Sequence, residues 1–465
     1  MDHPDPTARP AGVWRADPLA DATIARILGP CMAVDPAAQI ALIGVVNREL
    51  AAWDNNGALA SWRASPATPP SVATALHAFV TAASGLPDWA DAALIARAEH
   101  VFMDIGIMSC TLLFCASLPE CYVMPDLAAV LHAAGQLDQH CEYRIRATAA
   151  MIFPVMMHGG LTSAAGGGVA QTMKVRLIHA TIRYLILHGA VDTVDTVVPI
   201  PGRTMPPQLN AAPNSMQQQL LANGWNTARD GLPCNQEELA YTLLTFGYVY
   251  LRGLRTLGLR LPARDEEAFL HTWNVVGHLL GIERDLMPTS LDDAAARFAA
   301  MQDNGRNHPY FPDPRPALAD ALMRTMQNDI PFRLLKPFPV LLTRHLCGAA
   351  TGTDLGLTSP VSWVSGALFA TLMGLLRLVD ATVRLALPQF SFSRLLTRIV
   401  GYRFTVRILM DQTRPLKLPE ALLDQVGTVL QGWHVDPKAP KWMNTLEQKL
   451  ARPVTPPDPA LGETA

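Results

Sequence analysis

An all-α fold is what this sequence predicts, and three observations predict it. Apolar residues recur at three- and four-residue spacing along most of the chain, while alternating runs of strand type are scarce. The periodic runs are rich in Ala and Leu, both strong helix formers. With 49% hydrophobic and 17% charged residues and a mean hydropathy of +0.16, the chain buries a large core or presents apolar surface.

The expected helices follow in order. PLADATIARILG (18–29) is the first, then SVATALHAFVTAA (71–83) and one long run at 88–118, DWADAALIARAEHVFMDIGIMSCTLLFCASL. DLAAVLHAAG (126–135), LDQHCEYRIRATAAMIF (137–153) and MKVRLIHATIRYLILHG (173–189) come next, with Gly135 and Gly189 as C-terminal stops. A continuous helix is expected at 235–258, and another at 263–282 that starts near Asp265. Shorter ones are expected at 291–304 and 315–329, and an apolar one at 361–387. Long connections fall at 158–168, 197–214 and 304–316, and loops beyond ~12 residues are usually functional or disordered. No internal repeat is visible. The expected organisation is one large domain over 19–452, between disordered segments at 1–18 and 453–465.

Charge and thiols narrow the function classes. The net charge is −3, from 37 basic and 40 acidic residues, and no basic tail or block stands out. Nucleic acid as a partner needs a basic footprint, so it is excluded here. Seven scattered cysteines form no CxxC pair and no Cys/His metal spacing, which fits a reducing compartment. The N-terminus has no secretory pattern, so cytoplasm is the expected location. In 361–387 the uncharged part ends at Leu376, short of the ~20 residues a spanning helix needs. A buried helix is the first reading, with peripheral membrane contact through the C-terminal third as the alternative.

Several tempting motifs lack their context. GGLTSAAGGGVAQ has no Gly-Lys-Ser/Thr ending and no preceding strand, so it reads as a connector. His158-Gly159-Gly160 resembles an oxyanion loop, but no GxSxG elbow accompanies it. Asp292-Asp293 has no second carboxylate cluster and reads as a helix start. His271 and His278, seven apart, are too distant for one metal and read as packed, hydrogen-bonded residues.

KVRLIHATIRYLILH (174–188) is different. As a helix it has an apolar stripe of Val175, Ile178, Ile182, Leu185 and Ile186, with His179 in its middle and Arg176, Thr181 and Arg183 pointing elsewhere. In the preceding helix Arg144 and Thr148 lie four apart on a face continued by Met151, Ile152 and Val155. A buried guanidinium without an anion is costly, so something anionic should meet it. A lone His on an apolar face is commonly a satisfied core residue. Together, His, Arg and Thr on consecutive apolar faces form the set a haem needs: an iron ligand, a cation for propionate or bound oxygen, and apolar walls.

At these residues the chain resembles the family of rubber oxygenases, latex clearing proteins and MpaB-like oxygenases, which are haem b proteins. Arg144-Ile-Arg-Ala-Thr148 is similar to the family's Arg-x-x-x-Thr motif, VRLIHATIR to its axial-histidine helix, and 235–258 with WNVVGHLLGIERDLMP to its downstream block. The likeness is best over about 95–290. It implies a globin-like helical core enlarged by further helices. It implies haem b iron on His179, Arg144 and Thr148 beside the pocket as catalytic residues, and O2 used on an apolar, isoprenoid or lipid substrate. Two positions depart from the rubber-cleaving pattern: Ala147 stands where some members carry a lysine, and Ala128 and Ala129 where a glutamate base is expected. Glu120, Asp126 and Glu142 are the nearby carboxylates, and a small lipid or terpenoid is the substrate these departures imply. The alternative function is a non-catalytic haem- or lipid-binding helical protein.

Overall fold

The computed structural model describes residues 9–29, 36–133, 137–188, 225–328, 330 and 332–386, and every regular element among them is helical. In chain order these are α1 (Pro18–Leu28), α2 (Pro36–Ala51), α3 (Asn56–Ala60), α4 (Pro70–Ala83), α5 (Ala92–Asp104) and α6 (Gly106–Leu112). A π-helical turn at Leu113–Ser117 leads into α7 (Leu118–Cys121), followed by α8 (Pro125–Ala133), α9 (Leu137–Met156) and α10 (Gly168–His188). Then come α11 (Thr227–Asp230), α12 (Gln236–Phe246), α13 (Tyr248–Thr256) and α14 (Ala263–Leu279). The last are α15 (Leu291–Asn307), α16 (Arg315–Asn328), α17 (Phe338–Asp354) and α18 (Trp363–Ala386). The connection expected at 197–214 and the tail from 453 lie outside the described residues.

The core is one cluster in which α5 lies along α14, α9 lies between α10 and α16, and α1 lies between α4 and α10. Large rings fill it: Trp53, Phe79, Phe114, Tyr241, Phe269 and Trp273 are almost wholly inaccessible. Tyr250 stacks on Phe269 with centroids 4.5 Å apart, and Phe246 on Trp273 at 5.5 Å. Each such ring removes on the order of 150–250 Å² from water, which makes the aromatics the largest single contributors per residue.

Three expected elements differ. The run 88–118 is bent by 89° between Ala92–Asp104 and Met108–Cys121. There the Ser109 hydroxyl bonds Phe102 O at 3.0 Å, a carbonyl across the bend, and shares Ile105 O with its own amide. The run 235–258 divides at Gly247, which packs against Trp273 of α14. Conversely, α15 runs on to Asn307 and shortens the connection expected from 304. Gln302 and Arg306 on that last stretch are tied to Glu120 and Asp354, which holds the turns helical.

The first eight residues lie outside the described ones, but 9–17 correct the expectation of a disordered start. They form a strap. Val13 O accepts Leu232 N at 3.0 Å, Arg15 O accepts Gln236 N at 2.9 Å, and Ala16 O accepts Gln236 Nε2 at 3.0 Å. Arg9 pairs with buried Asp126 at 3.0 Å, and Arg15 pairs with Glu283. Beneath the strap lie Glu237 and Glu238 at the start of α12. Burial pushes the Glu238 carboxyl well above its ordinary range, and the Asp126 charge adds to the push.

A raised carboxyl favours the folded state most when protonated, so its contribution is full below the unfolded value and lost as pH rises through the folded one. Glu238→Gln should therefore match the wild type below about pH 4.5 and become relatively more stable above it. The gain is at most about 1.4 kcal/mol per pH unit. Thermal unfolding of both proteins across pH checks this, and a gap independent of pH contradicts it.

Candidate functional site

The site region is built on α9 and α10 and the connection between them. The sequence places Thr148 and His179 31 residues apart; the loop 157–167 turns that spacing into geometry. Its amides are spoken for: Glu99, 2% exposed, accepts Gly159 N at 2.9 Å and Gly160 N at 3.1 Å. Asn56 Nδ2 donates to Gly160 O at 2.9 Å and Ser163 O at 2.8 Å, while its Oδ1 accepts Ala170 N at 3.2 Å. A Cβ on Gly160 would sit 2.2 Å from Pro154 O, so only glycine fits against the end of α9. The loop is a clamp. An oxyanion or phosphate finds no donors where the Glu99 carboxylate already sits.

α10 is pinned through two arginines seven residues apart. Arg176 donates from Nη2 to Asp17 Oδ1 at 2.9 Å, from Nε to the same carboxylate, and from Nη1 to Leu279 O at 3.2 Å. Arg183 donates from Nη2 to Asp21 Oδ1 at 2.6 Å, from Nε at 2.9 Å, and from Nη1 to Pro233 O at 3.2 Å. Both arginines are buried, at 8% and 2% exposure, which reverses the expectation that they point away from the core. The expected apolar stripe is the more open side instead. Ile178 is 42% exposed, Val175 and Ile182 are half-buried, and Leu185 and Ile186 are buried. The carboxylates of α1 are the physical reason, since they let guanidinium groups occupy the packed side.

His179 lies on the border of the two stripes. By helical spacing it shares one side with Arg176 and Arg183 and the other with Val175 and Ile182. The residue is half-buried. A shallow apolar groove of about 10 Å³ runs beside α10, walled by Ile27, Leu28, Val46, Leu50, Ile178 and Thr181. On α9, Thr148, Ala150 and Met151 are half-buried and Ala147 is exposed, while the Arg144 and Glu142 side chains lie outside the described residues. Among the described residues no group of three or more His, Cys, Asp or Glu could hold a metal ion.

The carboxylates near the motif have other occupations. Ala128 and Ala129 are packed in the core. Asp126 pairs with Arg9. Glu120, wholly buried, pairs with Arg252 through Oε1 and accepts Gln302 Nε2 at 2.7 Å and Thr351 Oγ1 at 3.1 Å through Oε2. Tyr241 Oη donates to the Glu120 carbonyl at 2.8 Å. This five-helix junction is not legible from the sequence pattern. Its trace there is a charge inside an apolar run, Arg252 in YVYLRGL.

The remaining candidates resolve simply. His271 Nε2 accepts Asp91 N at 2.9 Å, and His271 and His278 both stand edge-on to Trp89. Burial lowers the pKa of both imidazoles. Asp293 sits in the first turn of α15, where its amide bonds the Ser290 cap. Burial pushes the Cys115 thiol up to about 12, which removes it as a nucleophile.

A family model described as "ER-bound oxygenase mpaB/B'/Rubber oxygenase, catalytic domain" matches residues 100–378. The chain belongs to this family. It is an oxygenase. The match runs well past 290, so it takes in Thr351 and most of α18 as well as Arg144, Thr148 and His179. The chain is 25% identical over 367 residues to a rubber oxygenase of Streptomyces sp. (strain K30), covering 75% of this chain and 77% of that protein. Its fold is similar to a structure of latex clearing protein LCP in the closed state, with a TM-score of 0.56 and 19% identity, over 92% of this chain and 91% of the other.

Removing one partner of the buried Glu120–Arg252 pair leaves a charge without an anion. Glu120→Ala should cost about 3–5 kcal/mol, and a double Glu120→Leu, Arg252→Leu chain should recover most of it. Urea unfolding followed by tryptophan fluorescence measures both. A loss under about 1 kcal/mol for Glu120→Ala contradicts the assignment.

Proposed function

We propose that this oxygenase is haem b-dependent and acts on an apolar substrate of isoprenoid or lipid type. The observation that carries the reading is His179, a half-buried imidazole within the family-matched span, flanked by Val175 and Ile182. Among the described residues no group of three or more His, Cys, Asp or Glu could hold a metal ion, whereas a haem asks a single ligand of the protein. The donor chemistry fits: one neutral imidazole beside apolar side chains is what a five-coordinate haem takes from a protein. When bound, the haem supplies the redox chemistry with O2.

The protein's part is positional. His179 would hold the iron through a ring nitrogen, and the bonds of Arg176 and Arg183 to α1 fix the rotation of its helix. The half-buried Val175, Ile182 and Met151 would offer the haem apolar carbon. Thr148 offers a hydroxyl beside the pocket, and Arg144 a cation for a propionate or another anionic group. The substrate class is supported by the relative's name, a rubber oxygenase. Alanine at 128, 129 and 147, where the rubber-cleaving pattern has a glutamate and a lysine, favours a smaller lipid or terpenoid.

A second reading is a haem or lipid carrier without turnover. It is favoured by Glu120, whose two oxygens are both engaged and which cannot serve as a free base.

Purified wild type should show a Soret band, and His179→Ala should lower haem content about tenfold or more with unchanged far-UV dichroism. Thr148→Ala should keep the band and slow oxygen uptake with unsaturated lipids. A wild type that stays colourless after haem is added overturns the haem reading. A loaded protein that consumes no oxygen with such lipids decides for the carrier.

A further inference from the structure

We propose that the sulfur atoms of Cys115, Met323 and Met326, with Cys347 at their more open edge, form a binding site for one copper(I) ion. The site shares no residue with the haem reading and does not depend on it.

The first observation is convergence. Cys115 stands in the π-helical turn Leu113–Ser117, Met323 and Met326 one turn apart on α16, and Cys347 on α17. Cys115 Sγ lies 3.9 Å from Met326 Sδ. The Thr343 hydroxyl, also on α17, lies 3.9 Å from Met323 Sδ and bonds the Cys115 thiol as well. Cys347, one helical turn beyond Thr343, points its thiol at Cys115 O and Ala116 O, at 3.6 Å and 3.8 Å. Four sulfurs from three elements thus gather around one hydroxyl. A methionine against a cysteine is ordinary core packing. This gathering, however, sits at a π-turn, an irregularity frequent at functional sites.

The second observation is distance and charge. Two sulfurs that each lie ~2.3 Å from a shared ion, at a trigonal angle, stand about 4 Å apart. That is the separation of Cys115 Sγ and Met326 Sδ. Cys115, Met323, Met326 and Thr343 are all buried, so a net charge there is costly. A monovalent ion on one thiolate and two thioethers is neutral, whereas a divalent ion on the same donors leaves a positive charge in the interior. Thiolate and thioether ligands select copper(I), while magnesium and calcium want oxygen. Among the described residues no three His, Cys, Asp or Glu form a metal group, and none is needed here because the thioethers complete the set.

Binding breaks the Cys115 S–H bond and forms a copper–sulfur bond, with the proton released to solvent and no change in oxidation state. Burial keeps that thiol protonated until the ion arrives. Cys347 is only half-buried and gives the ion a first sulfur on its way in. A bound ion cross-links the π-turn to α16, the helix that packs on α9.

The purified full chain, with its thiols reduced, is titrated anaerobically with copper(I) against the chromophoric chelator bicinchoninate, and the loaded protein is measured by X-ray absorption at the copper edge. The wild type should take up one copper(I) in an all-sulfur shell at about 2.3 Å and melt at a higher temperature when loaded. Met323→Leu with Met326→Leu keeps volume and apolarity. It should weaken copper(I) binding about tenfold or more with little change in the metal-free melting temperature. Cys115→Ser should weaken binding further. The proposal is overturned if the double variant binds as tightly as the wild type, which would mean adventitious capture by scattered thiols only. It is overturned equally if the wild type takes no copper(I) from the chelator, or if its shell contains nitrogen or oxygen. The wild-type shell carries the test by itself where a variant folds poorly.

Discussion

The site depends on a clamp between two helices far apart in sequence. Asp17 and Asp21, one turn apart on α1 and its cap, receive Arg176 and Arg183, two turns apart on α10. A charge pair in a packed interior is not favourable by default, because desolvation offsets most of the attraction. What makes these pairs tolerable is saturation: the guanidinium donors also reach carbonyls of Leu279, Pro233 and Cys234, so few polar groups are left unmet. The consequence is rotational. With both arginines locked against α1, α10 cannot turn, and His179 is held at the edge between the packed side and the half-open apolar side. A helix held only by leucines could roll by a residue; this one cannot without stranding a charge.

The rest of the fold repeats the device of burying polar groups only in complete sets. Glu99 fills the donors of the glycine loop and so fixes how α9 hands over to α10. Glu120 gathers α13, α15 and α17 around α7 through Arg252, Gln302 and Thr351. The N-terminal strap closes over Asp126 and Glu238 in the same manner, though there the acids outnumber their cations and burial raises their affinity for protons. Removing one member of any set uncovers a desolvated partner, which explains why the rigid frame around the site is polar where it matters and apolar elsewhere.

The sequence made the class and most helices legible, because a three-to-four-residue period needs only local information. It also made legible that the glycine loop, the paired histidines and the aspartate pair were structural. What it hid depended on distant partners. Arg176 and Arg183 look like outward residues until Asp17 and Asp21 arrive from 159 and 162 positions away. Glu120 looked like a spare base until three other helices closed on it. Besides the short α3 and α11, two long helices escaped notice for local reasons. α2 spreads its apolar residues around its circumference, and α17 is interrupted at Gly348, whose φ of +88° breaks the period within it. Arg144 and Thr148 were placed on one helix by spacing, and both fall on α9; of the two, the structure describes the Thr148 side chain, which is half-buried.

The central claim is that the His179 imidazole ligates iron. Resonance Raman spectroscopy of the reduced, haem-loaded protein measures that bond itself. An iron–imidazole stretching band that shifts on labelling histidine nitrogen and disappears in His179→Ala is the predicted result. The same band persisting in His179→Ala would show that another residue is the ligand and contradict the account.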